Sequence, residues 1–165
     1  MKLGELIGSE SEDNFSDFDL TEIQQVLARL NDTDAIDLSH AEQLQQQALR
    51  GADILSEYLG KIVKTTGYLE AKVNSVKNRV SLEYQAPEGR TTTDMKIWAG
   101  SSSPEVEELQ IKLSKAKACK SVLERKYDIL IKSHHHFKEI AQGIRRTIIG
   151  YNTTTQDEQI AHGYE

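Results

Sequence analysis

Cysteine occurs once, tryptophan once and proline twice in 165 residues, and aromatic side chains make up only 6%. A single cysteine excludes an internal disulfide framework and any cysteine-based zinc cluster. Hydrophobic residues reach 38%, below the roughly 45–50% of ordinary globular domains, so a large multilayer core is not expected. No apolar run approaches the roughly 20 residues needed to span a bilayer. The opening Met1-Lys2-Leu3-Gly4-Glu5 leads into acids rather than a hydrophobic stretch, which predicts no signal peptide. Walker-type loops, dinucleotide fingerprints and carboxylate-rich metal motifs are missing as well. The expectation is a soluble, cytoplasmic, non-enzymatic protein with no cofactor, no metal and no membrane partner.

Charge is abundant but unevenly placed. The net −6 argues, on its face, against nucleic acid. Residues 1–45 carry −9, residues 46–146 carry +6 and residues 147–165 carry −3. A basic middle therefore lies between acidic ends. The first 18 residues, rich in Ser, Asp, Glu and Gly, lack a repeating apolar face and read as disordered.

Helical periodicity organises the rest. A short helix is expected near 20–30, opened by Asp19 and Glu22 as a capping box, with Leu20, Ile23, Leu27 and Leu30 on one face. A long helix should start at Ser39, paired with Glu42 in a second capping box, and run without proline to about Tyr84. Its seam steps by three and four through Ala48, Ala52, Leu55, Leu59, Ile62, Thr66, Leu69, Val73, Val76 and Val80. Ser103-Pro104-Glu105 starts a second long helix, with Ser as N-cap and Pro at the first helical position. Its seam is Val106, Leu109, Leu113, Ala116, Lys120, Leu123, Tyr127, Leu130, His134, Phe137, Ala141, Ile144 and Ile148.

Two helices of similar length, about 40–85 and 104–148, predict an all-α fold, a long antiparallel helical hairpin. In the connection, Asp94 to Ala99 forms a short helix expected to tuck Ile97 and Trp98 against the hairpin end. The domains follow: an acidic arm over 1–38, a hairpin over 39–149 and a flexible polar tail over 150–165. A two-helix hairpin buries too little to stand alone. Ile54, Tyr58, Val63, Val122, Ile129, Ile131, Ile140 and Ile149 lie beside the seams, so the helix faces are expected to oligomerise.

His134-His135-His136 suggests a metal site, but neighbours on a helix point about 100° apart and three in a row cannot chelate one ion. They read as structural or solvated, or as a cluster shared between subunits. Cys119 sits among Lys and Ala with no nucleophilic motif around it and reads as a small packing residue. The basic section has two readings. It is a solvated mixed-charge face, or a phosphate-binding surface in which Lys72, Lys77 and Arg79 oppose Lys112, Lys115 and Lys117 near the connection, with Arg90, Arg145 and Arg146 as further contacts. Aromatics for base stacking are scarce, with Tyr84 and Trp98 near that end.

The stretch Val76-Lys77-Asn78-Arg79-Val80-Ser81-Leu82-Glu83-Tyr84, leading into a glycine-containing loop, resembles the UvsY recombination mediators of tailed phages. That family has an apolar–Lys–x–Arg–apolar motif near the end of its first long helix, then a Tyr and a glycine loop. The resemblance covers roughly residues 40–150. It implies a ring-forming homo-oligomer that binds single-stranded DNA, contacts a RecA-like recombinase and a single-strand-binding protein, and helps the recombinase displace the latter. The host-cell cytoplasm would then be its location. Lys77 and Arg79 match the family's DNA-binding pair, and Arg145 or Arg146 its C-terminal arginine. Two other classes remain open: a phage scaffolding or assembly protein, and a protein-binding adaptor or inhibitor with an acidic arm.

Overall fold

A computed structural model describes residues 18–31, 37–87 and 89–161, with side chains as far as Tyr151. The arm before Phe18, which the sequence reads as disordered, lies outside the described residues. Among the described residues there are four helices: α1 (Thr21–Leu30), α2 (Leu38–Glu83), α3 (Thr93–Ser101) and α4 (Pro104–Ala161). No described helix is long and apolar enough to cross a membrane. The expected all-α fold is observed. The chain divides into two compact units, Met1–Leu20 with Ser56–Arg125 and Thr21–Leu55 with Lys126–Glu165, where the sequence suggested one hairpin domain over 39–149.

In the first unit, α2 and α4 run antiparallel. Glu70 meets Lys117 at 2.8 Å, and further along α2 Arg79 meets Glu105 at 2.5 Å, earlier on α4. The buried seam comprises Ile62, Leu69, Val73 and Val76 against Val106, Leu109, Ala116, Cys119 and Leu123. Cys119 is fully buried, as a small packing residue should be, while Leu59 and Leu113 are only half-buried. Thr66 sits in the seam because its hydroxyl donates to the Ile62 carbonyl at 2.5 Å, so no polar atom is left unpaired there.

The second unit packs α1 and the start of α2 against the later part of α4. Ile23, Val26 and Leu30 of α1 are buried, as are the small residues Ala41, Ala48, Gly51 and Ala52 of α2 together with Leu44 and Leu55. A Cβ on Gly51 would lie 3.1 Å from Leu130 of α4 and 3.4 Å from Val26 of α1. Small side chains there let two helices approach α2 at once. Leu130, Phe137 and Ala141 complete this core, Ile144 is half-buried, and α2 and α4 are again antiparallel through Glu42–Arg145 and Gly51–Leu130.

Several local expectations need correction. The N-cap of α2 is Asp37, not Ser39: its carboxylate accepts the His40 backbone N–H at 2.7 Å. An acid at that position satisfies an orphan amide and also complements the helix dipole. Glu42, freed from the cap, reaches Arg145 instead. On α1 the buried set is Ile23, Val26 and Leu30, with Leu27 half-buried. Helix α4 continues to Ala161 rather than ending near 148. Gly143 and Gly150 weaken a helix by about 1 kcal/mol each but remove no backbone donor, and no proline follows Pro104.

The α3 helix also turns out differently. Thr92 caps it, accepting the Met95 N–H at 3.3 Å. Its buried residues are Ala99 and Gly100, whereas Ile97 is 58% and Trp98 65% exposed. The cause is close approach. A Cβ on Gly100 would lie 2.7 Å from the Lys77 carbonyl oxygen and 2.2 Å from Ser81 Oγ. Only the glycine face fits against α2, so the bulky side chains point away from it.

Candidate nucleic-acid interface

Within the first unit, α2 carries a second stripe beside its buried seam. Steps of three and four from Tyr58 pass Lys61, Thr65, Tyr68, Lys72, Ser75 and Arg79. Residues at that spacing share one helix face. The side chains pair along it: Lys61 Nζ lies 5.8 Å from the Tyr58 ring centroid and Lys72 Nζ 6.0 Å from that of Tyr68. Tyr68 is 64% exposed. Lys61, Lys64, Lys72 and Arg79 are exposed and Tyr58 half-buried. Of these cations, Arg79 alone forms an ion pair with a described residue.

The residues expected from the sequence fall in different places. Lys72 and Arg79 lie on this stripe. Lys77, two positions from Arg79, is rotated about 200° from it, is half-buried, and offers its carbonyl to the α3 contact. Arg90 is exposed in the connection, also in the first unit. Arg145 and Arg146 belong to the second unit, where Arg145 is held by Glu42 at 2.5 Å and Arg146 is exposed.

The concentration of positive charge expected between Lys72, Lys77, Arg79 and Lys112, Lys115, Lys117 is diluted by interleaved acids. Glu105 engages Arg79, Glu108 engages Lys112 at 2.7 Å, and Glu70 engages Lys117. The hydrogen bond from Lys117 and its charge hold the Glu70 carboxyl below its ordinary range, with Lys120 adding to the effect. Lys112 does the same for Glu108, with a further contribution from Lys72. Exposed cations with aromatic neighbours therefore remain chiefly on the Tyr58–Lys72 stripe. Sequence reasoning missed it because aromatics were weighed by their number, while the informative signal was their spacing to lysine.

The histidine run is structural at its first member. His134 Nδ1 lies 3.3 Å from the Gln45 carbonyl oxygen, and its ring meets His135 edge-on at 5.4 Å. Among the described residues no three His, Cys, Asp or Glu side chains are close enough to hold a metal ion. A small cleft in the second unit is lined by Arg29, His40, Gln43, Leu44 and Gln47. Comparisons with protein-family models, with curated proteins and with solved structures find no match.

Proposed function

We propose that this chain is a non-enzymatic single-stranded-DNA-binding protein that uses the α2 stripe. In line with its resemblance to the UvsY mediators, it would act as a homo-oligomer that loads a RecA-like recombinase in place of single-strand-binding protein. The observation that carries the reading is the alternation of Tyr58, Lys61, Tyr68 and Lys72 on one helix face, with Lys61, Tyr68 and Lys72 exposed. Lysines neutralise phosphates without regard to sequence, and rings give each base a stacking surface. Trp98, exposed on α3, is a further ring in the same unit. Repeated in an oligomer, a few such contacts per subunit sum to useful affinity.

Fluorescence anisotropy of a labelled oligo-dT under a salt series tests this. Binding at about 50 mM salt that weakens steeply as salt rises is expected. Lys72→Gln should reduce the salt slope by about one, and Tyr68→Ala should cost about 1–3 kcal/mol with an unchanged slope. Absence of binding at low salt rejects the reading. An assembly or scaffolding role is the second reading, favoured by exposed apolar side chains such as Val63, Ile111 and Ile129. It predicts large assemblies without affinity for oligo-dT.

A further inference from the structure

We infer that His135 and Glu139 form half of a zinc site, which a second copy of this chain completes with the same two residues. The inference is independent of the nucleic-acid reading. Both side chains are exposed on α4, in the second unit. Four residues apart, they stand one turn from each other and about 40° apart around the axis. Two ligands at that spacing on one helix face are the arrangement by which helical zinc motifs grip the ion. The histidine run cannot chelate within itself, but across one turn its middle member meets a carboxylate. His135 is also steadied. Its ring packs edge-on against His134 at 5.4 Å, and His134 Nδ1 is held in turn by the Gln45 carbonyl at 3.3 Å. A ligand packed against a fixed neighbour loses little rotamer freedom on binding.

One chain offers only this pair, since no three such side chains among the described residues are close enough to hold an ion. Imidazole and carboxylate suit zinc, which takes four ligands in a tetrahedron. Two copies related by a two-fold axis through the ion supply two of each. Two carboxylates and two neutral imidazoles then compensate the double charge of the ion. The surface beside the pair favours such a meeting. Ile129, two turns before His136 and at nearly the same angle, is 50% exposed, and a second copy would cover it. Lys132 and Lys138 flank the pair and Asp128 stands two turns before His135, all exposed. Acids and bases therefore balance there, and repulsion between copies is small.

The test uses the full chain, freed of metal by a chelator, at about 2 µM in sedimentation velocity. Zinc chloride should lower the concentration at which copies associate by about tenfold or more, with about one ion bound per two chains and reversal by EDTA. His135→Ala and Glu139→Gln, each alone, should lose that shift, whereas His136→Ala should keep it within about twofold. Helical circular dichroism, unchanged because these side chains are exposed, shows that each variant is folded. Cobalt in place of zinc should give the intense visible absorption of a four-coordinate ion. Both metals should be released as pH falls from about 7.5 to about 5.5, where imidazole takes up a proton. No zinc bound, one ion per chain with unchanged mass, or a six-coordinate cobalt spectrum overturns the inference. So does a zinc response that survives both variants, or one that His136→Ala abolishes.

Discussion

Glycines on α2 and on α3 face opposite constraints. Gly60 and Gly67 have nothing within 4 Å of a built Cβ, whereas at Gly100 that atom would lie inside contact distance of the Lys77 backbone. Gly60→Ala should therefore stabilise by up to about 1 kcal/mol, through helix propensity alone. Gly100→Ala has to push α3 off α2 and should destabilise by about 1–3 kcal/mol. Thermal unfolding of the two single variants reads both signs. At this scale the sequence was informative about identity more than orientation. Cys119 as a packing residue follows from its Ala and Lys neighbours. The outward turn of Ile97 and Trp98 does not, since it depends on the fit of Gly100 against Lys77 and Ser81, residues far away in sequence.

The helices themselves were largely legible because their signals are local. Pro104 after Ser103 marks the start of α4, and the Glu107 N–H bonds to the Ser103 carbonyl at 3.0 Å as that start requires. The seams follow from steps of three and four. Boundaries were less legible: Asp37 and Ser39 are both good caps, and it is the Asp37 carboxylate that accepts the His40 N–H while Glu42 pairs with Arg145. The candidate site suffered from a similar limit. A Lys-x-Arg motif reads as one unit in sequence, yet residues two apart leave a helix in nearly opposite directions.

Ion pairs between α2 and α4 and along α4 give the first unit a pH response. Lys117 and Lys112 lower the Glu70 and Glu108 carboxyls from an ordinary value of 4.5. A carboxyl whose folded value is depressed contributes stability above its unfolded value and loses it as pH falls through the folded one. Both groups are exposed, so the contribution is small and screened by salt. The melting-temperature advantage of the parent over a Glu70→Gln, Glu108→Gln double variant should be present at pH 6. It should shrink below about pH 4.5, and be smaller throughout at high salt. An advantage that persists unchanged to pH 3 would mean the two carboxyls act through packing.

At the scale of the whole molecule, apolar side chains remain uncovered in both units. Val63 and Ile111 of the first are 49% and 52% exposed, and Ile129 and Ile149 of the second are 50% and 63%. Burying an aliphatic side chain of this size is worth about 1.5–3 kcal/mol. Association costs roughly 4–15 kcal/mol in lost freedom, so one such residue per copy achieves nothing and several, counted on both copies, are required. Each unit carries at least two such side chains, and the protein assembles only if several from each copy are covered together. It should sediment as a homo-oligomer at concentrations of the order of tens of micromolar. Val63→Lys with Ile129→Lys should shift it to smaller species while helical circular dichroism stays constant, because neither side chain belongs to a buried seam. The same variant connects assembly to binding. Fewer linked copies of the α2 stripe mean fewer phosphates engaged together, so oligo-dT affinity should fall with subunit number even though Lys61, Tyr68 and Lys72 are intact. A parent chain that is monomeric at about 100 µM would remove the oligomer, and with it the avidity on which the proposed DNA binding depends.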